Sequence, residues 1–338
     1  MQQVSSDTVS RKFSVIMPVY NCRQWIREAV QSVLAQTEQD FELIIVDDCS
    51  TDGSVEEIAD LIAKDGRITL IRRTQNGNAA VARNTGLEAS SGELIAFLDA
   101  DDLWEPTRLT DHSRVFEAYP ETSMVFSDFR GFGGSVAEEA PFLSVERNLT
   151  RIAANELDGP WPVRGTGLQI YKCRESLLTF IPLNYNLFFM HSVTLSRRAL
   201  IEQPYWFPTH LTVCEDLEFF LRVLESGPTV FLPEVLAWYR RRPQSLTDQG
   251  ESFLRGTIQF HVENLDLRRP RFGAQEIRVY KSRISNFRAS LAWQLRLRRA
   301  FAESRGQYWL AFRGCPSWRG ARMLVSSFIP QCIKNLMR

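Results

Sequence analysis

The feature that most constrains the fold is a short apolar run that ends in three aspartates. Residues 94–98 read Leu-Ile-Ala-Phe-Leu, and Asp99, Asp101 and Asp102 follow at once. A run of this length predicts a strand that is buried on both faces. Ligands of open parallel sheets bind beyond the carboxyl ends of the strands, and clustered carboxylates repel one another unless a cation separates them. The run therefore predicts a divalent-cation site or, alternatively, an acidic turn that caps the helix after Pro106.

Strands and helices alternate through the first 130 residues. We predict strands over 13–19, 41–46, 68–71, 93–98 and 124–126, and helices over 22–34, 55–64, 79–89 and 106–119. Single helices between strands at this spacing indicate repeated βαβ units, an α/β class and a mainly parallel sheet. The loops after the strands at 13–19, 41–46 and 93–98 should open at one edge. That edge would bring Tyr20 and Asp48 together with the three aspartates.

The composition is that of a globular protein. With 338 residues, 44% of them hydrophobic and 24% charged, the chain can form two units with a substantial core. The six cysteines show no metal-type spacing, which favours free thiols in a reducing, cytoplasmic setting. The sequence contains no run of about 18 apolar residues, so we expect no membrane span. Residues 1–12 are too polar for a signal peptide.

Charge is unevenly distributed, although the formal net charge is zero. Residues 268–338 contain 16 Lys and Arg against two Glu, whereas the first 267 residues contain 24 basic and 38 acidic residues. The basic part also has apolar residues at helical spacing, in 278–299 and 321–337. It fits either helices attracted to an anionic membrane surface or helices packed on the domain with their arginines in water. We expect no nucleic-acid partner.

Four sequence blocks resemble, in order and spacing, those of glycosyltransferase family 2, the inverting enzymes of GT-A fold. They are Ser14–Asn21 (SVIMPVYN), Ile44–Ser54 (IIVDDCSTDGS), Ala82–Asn84 (ARN) and Phe97–Asp102 (FLDADD). The resemblance covers roughly residues 13–130. It implies a GT-A-like, Rossmann-related sandwich, a nucleotide-sugar donor that is usually UDP-linked, and Mn²⁺ or Mg²⁺ as cofactor.

The resemblance also implies roles for residues of the donor site. Pro18 and Tyr20 would line the base pocket, and Asp48 would contact the base. Asp99 would contact the ribose or the shell of the metal, and Asp101 would bind the ion.

Two further residues of this region have alternative interpretations. Arg83 would lie near the diphosphate or the donor sugar, or it would be a surface arginine paired with Glu88 or Asp102. Asp102 itself is a reserve candidate for the acidic site.

A second acidic block, Val213–Val223 (VCEDLEFFLRV), resembles the family's Glu-Asp motif and begins about 115 residues after the metal block. Its pattern predicts a helix with Glu215 and Asp216 at the N-terminus, where the helix dipole keeps a carboxylate ionised. The resemblance implies that Asp216 takes the proton of the acceptor hydroxyl, with Glu215 as a reserve candidate. Simple helix capping is the alternative.

The segment Trp238–Leu246 (WYRRRPQSL) resembles the Tyr-Arg segment that closes such domains over the donor diphosphate. Of its three consecutive arginines we select Arg240 as donor-binding, and a solvated basic loop is the alternative. No Gln-x-x-Arg-Trp motif of processive polymer synthases is present. The expected product is therefore one sugar added per acceptor.

The predicted organisation has four parts: an N-terminal tail (1–12), a nucleotide-sugar-binding half (13–130), an acceptor-binding half with the Glu-Asp motif (131–249) and a basic helical extension (250–338). The expected activity is metal-dependent, inverting transfer of one sugar from a nucleotide sugar to a glycan or a lipid-linked saccharide, in the cytoplasm or on the inner face of the cell membrane. A sugar nucleotidyltransferase and a non-catalytic sugar-nucleotide-binding scaffold are the alternatives.

Overall fold

The computed structural model describes residues 12–133, 142, 156–183, 186–242 and 250–328. The chain divides into two compact units. Unit 1 comprises the described parts of residues 1–178 with 187–209 and 219–242, and unit 2 the described parts of 179–186, 210–218 and 243–338. The segment that carries Glu215 and Asp216 is thus grouped with the C-terminal helices.

Unit 1 is organised around one mixed sheet. Its strands are β1 Phe13–Val19, β2 Phe41–Asp47, β3 Ile68–Arg72, β4 Leu94–Phe97, β5 Leu103–Trp104, β6 Met124–Phe132, β7 Leu157–Pro162, β8 Gln169–Cys173, β9 Val193–Ser196 and β10 Thr229–Arg240. They follow the order β3-β2-β1-β4-β9-β6-β10-β8-β7, and β5 pairs with β10. The first four strands in this order are mutually parallel, as are β6 and β10, whereas β9 runs antiparallel between β4 and β6. The predicted α/β class with a largely parallel central sheet is confirmed.

The helices of the described residues are α1 Ile26–Leu34, α2 Ser54–Glu57, α3 Ala59–Lys64, α4 Ala79–Ala89, α5 Arg108–Ala118, α6 Leu177–Leu183, α7 Arg197–Ile201, α8 Glu215–Ser226, α9 Glu251–Arg268, α10 Ala274–Leu297, α11 Phe301–Gly314 and α12 Trp318–Ser327. The helix predicted over 55–64 is wrong in one respect, because it is broken at Ile58 into α2 and α3. Ile58 is fully buried, but α3 buries none of its residues. Its apolar residues Leu61 and Ile62 are only half-buried, so this second part packs less deeply than the first.

Close packing of α4 on β1 fixes the first layer of the core. Ile16 and Val46 are buried in β1 and β2, and α4 crosses them at Gly86. A Cβ atom at position 86 would lie 2.5 Å from Cγ2 of Ile16, so no larger residue fits without moving the helix. The carboxyl ends of β1, β2 and β4 therefore lie at one edge, next to α4.

Unit 2 contains the four C-terminal helices, α9–α12. Leu265, Phe272, Tyr280 and Ile284 form one buried cluster between α9 and α10. A second cluster joins Ile258 of α9 to two leucines of α10, Leu291 and Leu295. The predicted helical C-terminal region is confirmed as far as residue 328, and the remainder of the predicted segment 321–338 lies outside the described residues. No helix among the described residues is long and apolar enough to cross a bilayer.

Candidate functional site

The loops after β1 and β2 are joined to each other by side-chain hydrogen bonds. Asn21, which has a left-handed backbone (φ 51°), accepts a bond from the Thr51 amide at 2.9 Å, and its own amide donates to Oγ of Ser50 at 3.1 Å. Next to this junction Pro18 is partly exposed at the end of β1, and the Tyr20 side chain is 52% exposed. The predicted base-pocket residues therefore lie on a fixed rim at the carboxyl edge of the sheet.

Asp48 is buried, and its carboxylate is bound from several sides. Arg73 pairs with Oδ1, and the Gly77 amide lies 3.1 Å from Oδ1 and 3.0 Å from Oδ2. The Asn76 side chain donates to the Asp48 carbonyl oxygen at 2.8 Å. Asp48 thus holds the loop between β3 and α4 against the end of β2.

Asp99 follows β4 and pairs with Arg83 of α4. The Arg83 Nη2 to Asp99 Oδ1 distance is 2.9 Å, and the Arg83 side chain is only 6% exposed. The guanidinium also lies over the Phe207 ring, 5.6 Å from its centroid. The alternative interpretation of Arg83 as a surface residue paired with Glu88 or Asp102 is therefore wrong, because the side chain is buried and reaches Asp99.

Two arginines at the end of β10 meet Asp101 in different ways. Arg242 Nε lies 2.7 Å from Oδ2 of Asp101. Arg240 Nε instead donates to the Asp101 backbone carbonyl at 2.8 Å, and its Nη2 pairs with Glu28 at 2.6 Å. Arg242 is therefore the member of the three-arginine run that neutralises the Asp101 carboxylate, while Arg240 ties the acidic loop to α1.

Asp102 is 1% exposed and is bound by groups far away in sequence. Its Oδ2 lies 2.9 Å from His191 Nδ1, and its Oδ1 accepts the Arg240 amide at 2.9 Å. The His191 ring stacks between Phe189 and Tyr239. Asp102 therefore has a buried, structural position, and His191 is its buried hydrogen-bond partner.

Three buried or partly buried carboxylates lie close together at this edge. Burial and the neighbouring carboxylates of Asp102 and Asp99 raise the pKa of Asp101 to about 7, although Arg242 acts in the opposite direction. Burial also raises the pKa of Asp102, with His191 opposing. The same carboxylates add to burial in raising the pKa of the Tyr239 hydroxyl to about 12. A cation delivered to this edge would be favoured electrostatically.

The donor set can be tested against a divalent metal. Asp99 and Asp101 offer carboxylate oxygens, the ligands that Mg²⁺ and Mn²⁺ prefer. Within the described parts of the chain, no group of three His, Cys, Asp or Glu side chains converges as a ready-made metal cage. This agrees with the usual Mg²⁺ arrangement of one or two carboxylates completed by water and substrate phosphates. The residues therefore fit an ion that arrives with a phosphate ligand.

The Glu215–Asp216 turn begins α8 within unit 2. Cys214, immediately before it, has a left-handed backbone (φ 61°), and its carbonyl accepts the Glu218 amide at 3.0 Å. Oδ1 of Asp216 accepts the Leu217 amide at 2.7 Å, and the residue is half-buried. Asp216 thus takes part in the helix start, as the capping alternative requires, and still reaches the surface.

The structure brings together most of the residues predicted for the donor site. Pro18, Tyr20, Asp48, Asp99 and Asp101 all follow or end the strands of one sheet edge. Sequence reasoning missed four participants, Glu28, Arg73, His191 and Arg242. The run of arginines at 240–242 was the available signal for Arg242, but nothing local distinguished it from its neighbours.

Comparison with known proteins gives a family match. The sequence model described as "Glycosyl transferase family 2" matches residues 14–175. The "Putative teichuronic acid biosynthesis glycosyltransferase TuaG" of Bacillus subtilis is 40% identical over 140 residues, 40% of this chain and 54% of that protein. Escherichia coli WfaP, a "UDP-Glc:alpha-D-GlcNAc-diphosphoundecaprenol beta-1,3-glucosyltransferase", is 38% identical over 35% of this chain and 45% of its own length. The chain spans about half the length of these relatives.

Solved structures share the fold over nearly the whole chain. S. aureus TarS 1–349 in complex with UDP-GlcNAc superposes with a TM-score of 0.57 at 17% identity, covering 94% of this chain and 89% of that one. The mannosyltransferase PcManGT from Pyrobaculum calidifontis, in complex with GDP-Man and Mn²⁺, gives 0.56 at 18% identity, covering 94% and 80%. Residues 14–175, just under half of the chain, thus match the glycosyl transferase family 2 model, and the curated relatives align with a similar share of the chain.

Proposed function

We propose that this protein is a metal-dependent, inverting glycosyltransferase that moves one sugar from a UDP-linked donor to a hydroxyl of a glycan or lipid-linked acceptor. The observation that carries the proposal is the carboxyl edge of the sheet, where Asp99 and Asp101 face the buried or half-buried guanidinium groups of Arg83 and Arg242. Alternating charges of this kind suit a diphosphate that arrives with a cation. The UDP-GlcNAc complex of TarS and the UDP-Glc donor named for WfaP support UDP as the nucleotide.

The base of the donor would bind between the loops after β1 and β2. Pro18 and the exposed Tyr20 ring would line this pocket, with Asp48 below it. Because the Asp48 carboxylate already binds Arg73 and the Gly77 amide, its contribution would be to fix the shape of the pocket as well as to contact the base. The base and ribose would then direct the diphosphate toward Asp99.

Asp101 would hold a Mn²⁺ or Mg²⁺ ion, with Asp99 in its outer shell or on the ribose. When bound, such an ion supplies Lewis-acid neutralisation of the leaving diphosphate. Arg83 and Arg242 would orient the phosphate oxygens through charge-assisted hydrogen bonds. Arg242 would have to leave Asp101 to do so, whereas Arg240 would remain tied to the Asp101 carbonyl and Glu28. Mn²⁺ in the PcManGT complex supports a divalent ion in this fold.

Asp216 would be the general base. The positive end of α8 would favour the ionised form of this carboxylate, which can accept a proton from the acceptor hydroxyl. The hydroxyl oxygen would attack the anomeric carbon from the face opposite the diphosphate, forming the new glycosidic bond as the bond to phosphate breaks. One such displacement inverts the configuration. Glu215 is the reserve candidate, and residues 131–249 would supply the acceptor side.

The C-terminal helices would contact an anionic lipid surface. At the turn between α10 and α11 three apolar side chains are solvent-exposed: Trp293 by 56%, Leu297 by 68% and Phe301 by 45%. Arg298 and Arg299 lie between them on the exposed surface. Apolar side chains set among arginines in a basic region match the interface of an anionic bilayer. The diphosphoundecaprenol acceptor in the name of WfaP supports a lipid-linked acceptor.

A donor screen with two readouts tests the proposal. Purified protein is incubated with UDP-, GDP- and dTDP-sugars in Mn²⁺, Mg²⁺ or EDTA, with and without added pyrophosphate, and both nucleoside diphosphate and nucleoside triphosphate are measured. We expect metal-dependent release of UDP from one UDP-sugar. Formation of UTP and sugar phosphate from a UDP-sugar and pyrophosphate would instead identify a nucleotidyltransferase. Tight donor binding without any turnover would favour the scaffold alternative.

A further inference from the structure

A buried ion pair joins the first turn of α8 to the last residue of α9. Arg268 Nη1 lies 2.8 Å from Oε2 of Glu218, and Nη2 lies 3.5 Å from Oε1. The two side chains are only 1% and 9% exposed. A two-pronged contact between a guanidinium and a carboxylate fixes orientation as well as distance. Because Glu218 follows Asp216 by two residues, the pair also fixes the rotation of the turn from which Asp216 projects.

The loop before this turn is held by the other end of α9. A Cβ atom at Gly256 would lie 2.5 Å from Cγ2 of Val213 and 2.9 Å from Oγ1 of Thr212, so the helix approaches the loop as only glycine allows. The buried Thr257 side chain lies beside the Cys214 thiol, whose pKa burial raises. Cys214 adopts the left-handed conformation that side chains rarely take, which persists only where the surroundings impose it.

Helix α9 is in turn fixed on α10 by a buried polar network. The Tyr280 hydroxyl donates to Oδ1 of Asn264 at 2.8 Å and lies 3.1 Å from Nδ1 of His261. Burial lowers the pKa of His261 to about 3, so the ring is neutral. Since the hydroxyl proton is directed to Asn264, Nδ1–H of His261 is the donor of the second bond. All three side chains are at most 4% exposed.

We propose that α9 is a positioning element of the active site, with Arg268 as its positioning residue and Gly256 as its contact point. Arg268 fixes Glu218, and Gly256 fixes the loop that ends at Cys214, so the Glu215–Asp216 turn is held from both sides. The proposal rests on the proposed role of Asp216 as general base. Displacement of a reacting group by 1 Å costs as much as about 100-fold in rate. The basic extension is thus part of the catalytic apparatus, whatever surface its outer face meets.

The test removes the pair without leaving a buried charge. The double variant Glu218→Gln/Arg268→Met replaces both ions by neutral groups of similar size, a change that buried pairs often tolerate. UDP release from UDP-glucose and UDP-N-acetylglucosamine is measured with Mn²⁺ on the full chain. We expect kcat to fall roughly 10- to 100-fold, while donor KM and calorimetric UDP affinity stay within about twofold. Glu218→Asp/Arg268→Lys, which keeps both charges, should recover part of kcat.

Ser304→Ala is the matched control for loss of a buried contact, because it removes a 2.7 Å hydrogen bond to the Ala292 carbonyl between α10 and α11 without touching the turn. It should lower the melting temperature and leave kcat unchanged. If the double variant also loses only melting temperature, or loses kcat and UDP affinity together, the pair is structural and the proposal fails.

A cycle with Asp216→Asn separates this proposal from the proposed function. If Asp216 is the base and Arg268 acts through it, adding the double variant to Asp216→Asn should cause no further loss of kcat. Independent, multiplicative losses would overturn the positioning role alone. Wild-type turnover of Asp216→Asn would remove the assignment of the base, and with it the positioning role.

Discussion

Two acidic clusters of this protein are stabilised in different ways. The loop from Asp99 to Asp102 follows a central strand, and its carboxylates meet a different partner each: Arg83, Arg242 and His191. The turn from Glu215 to Glu218 begins a helix, and one buried pair with Arg268 joins it to another helix. The first cluster is distributed over sheet, helix and strand ends, whereas the second is held by α9, through the Arg268 pair and the Gly256 contact.

The difference shows which kind of site tolerates change. In the sheet-edge cluster, the loop with the three carboxylates follows directly from a paired strand and each carboxylate has its own partner, so loss of one partner leaves the others in place. In the helix turn, the backbone hydrogen bonds fix the helix internally but not its rotation against α9. We therefore expect changes at the sheet edge to affect ligand affinity or stability, and changes at the helix turn to affect turnover.

The largest effect should come from Asp216→Asn. The variant keeps the size and backbone bonding of the side chain but removes the basic oxygen, so sugar transfer should fall about 10²- to 10⁴-fold. Metal-dependent UDP affinity and melting temperature should stay close to wild type, since asparagine is also a good residue at helix starts. Transfer assays and calorimetry on the same preparations check both points. Glu215→Gln is the control. If Asp216→Asn transfers sugar at the wild-type rate, Asp216 is not the base and Glu215 becomes the candidate.

Stability of the sheet edge should respond strongly to His191→Phe. The ring contacts with Phe189 and Tyr239 would remain, but Asp102 would lose its 2.9 Å partner inside the protein. A buried polar group that loses a hydrogen-bond partner costs about 1–3 kcal/mol, which urea unfolding measures directly. His210→Phe is the control, because His210 pairs with Glu263 at the surface, where such pairs contribute about 0–1 kcal/mol. Equal losses for the two variants would contradict the distinction.

Asp101→Ala should lower metal-dependent UDP affinity, whereas Asp216→Asn should lower transfer and leave that affinity unchanged. If Asp101 holds the ion, UDP affinity in Mn²⁺ should fall at least the roughly 10- to 100-fold seen when even an outer-shell partner of a metal is lost. In EDTA the two proteins should bind UDP equally. Calorimetric titration with Asp60→Asn, an exposed aspartate paired with Arg27, provides the comparison. A wild-type protein that binds UDP equally with metal and with EDTA would exclude the metal role.

The smallest effect concerns the outer face of the C-terminal helices. Arg299→Gln removes one exposed charge near Leu297 and Phe301. Each basic residue near an anionic surface contributes about 1 kcal/mol, so affinity for phosphatidylglycerol vesicles should fall about fivefold in low salt. At 1 M salt, where the screening length is about 3 Å, the difference should vanish. Arg72→Gln on unit 1 is the control, and equal vesicle binding by all three proteins would favour helices that face water.

Local sequence signals are sufficient to predict the bounds of elements that depend on nearby caps and apolar periodicity. The helix over 79–89 was predicted with the bounds that α4 has, because Asn78 caps it through the Val81 amide at 3.0 Å and an uninterrupted helix-forming stretch follows. Strand β1 likewise has its predicted bounds. Such elements follow from caps, apolar periodicity and turn residues within a few positions.

The sequence does not predict which charged residues pair with each other. Asp102 and His191 are separated by 89 positions, and Asp101 and Arg242 by more than a hundred. Which arginine of the run at 240–242 reaches which atom depends on side-chain reach from the end of β10, which no local pattern encodes. The pairing of Glu218 with Arg268 is likewise not predictable from the sequence, because it depends on how α9 packs on the first turn of α8.

Gly86 sets how closely α4 approaches the sheet. Helix α4 packs on Ile16 at Gly86 with no room for a Cβ atom, and one turn before that contact the same helix carries Arg83 to within 2.9 Å of Asp99. A methyl group at position 86 would displace either the helix or the Ile16 side chain, and a displaced helix would carry the Arg83 guanidinium away from Asp99. The distance of α4 from the sheet, and with it the Arg83–Asp99 contact, is therefore set by a residue with no side chain.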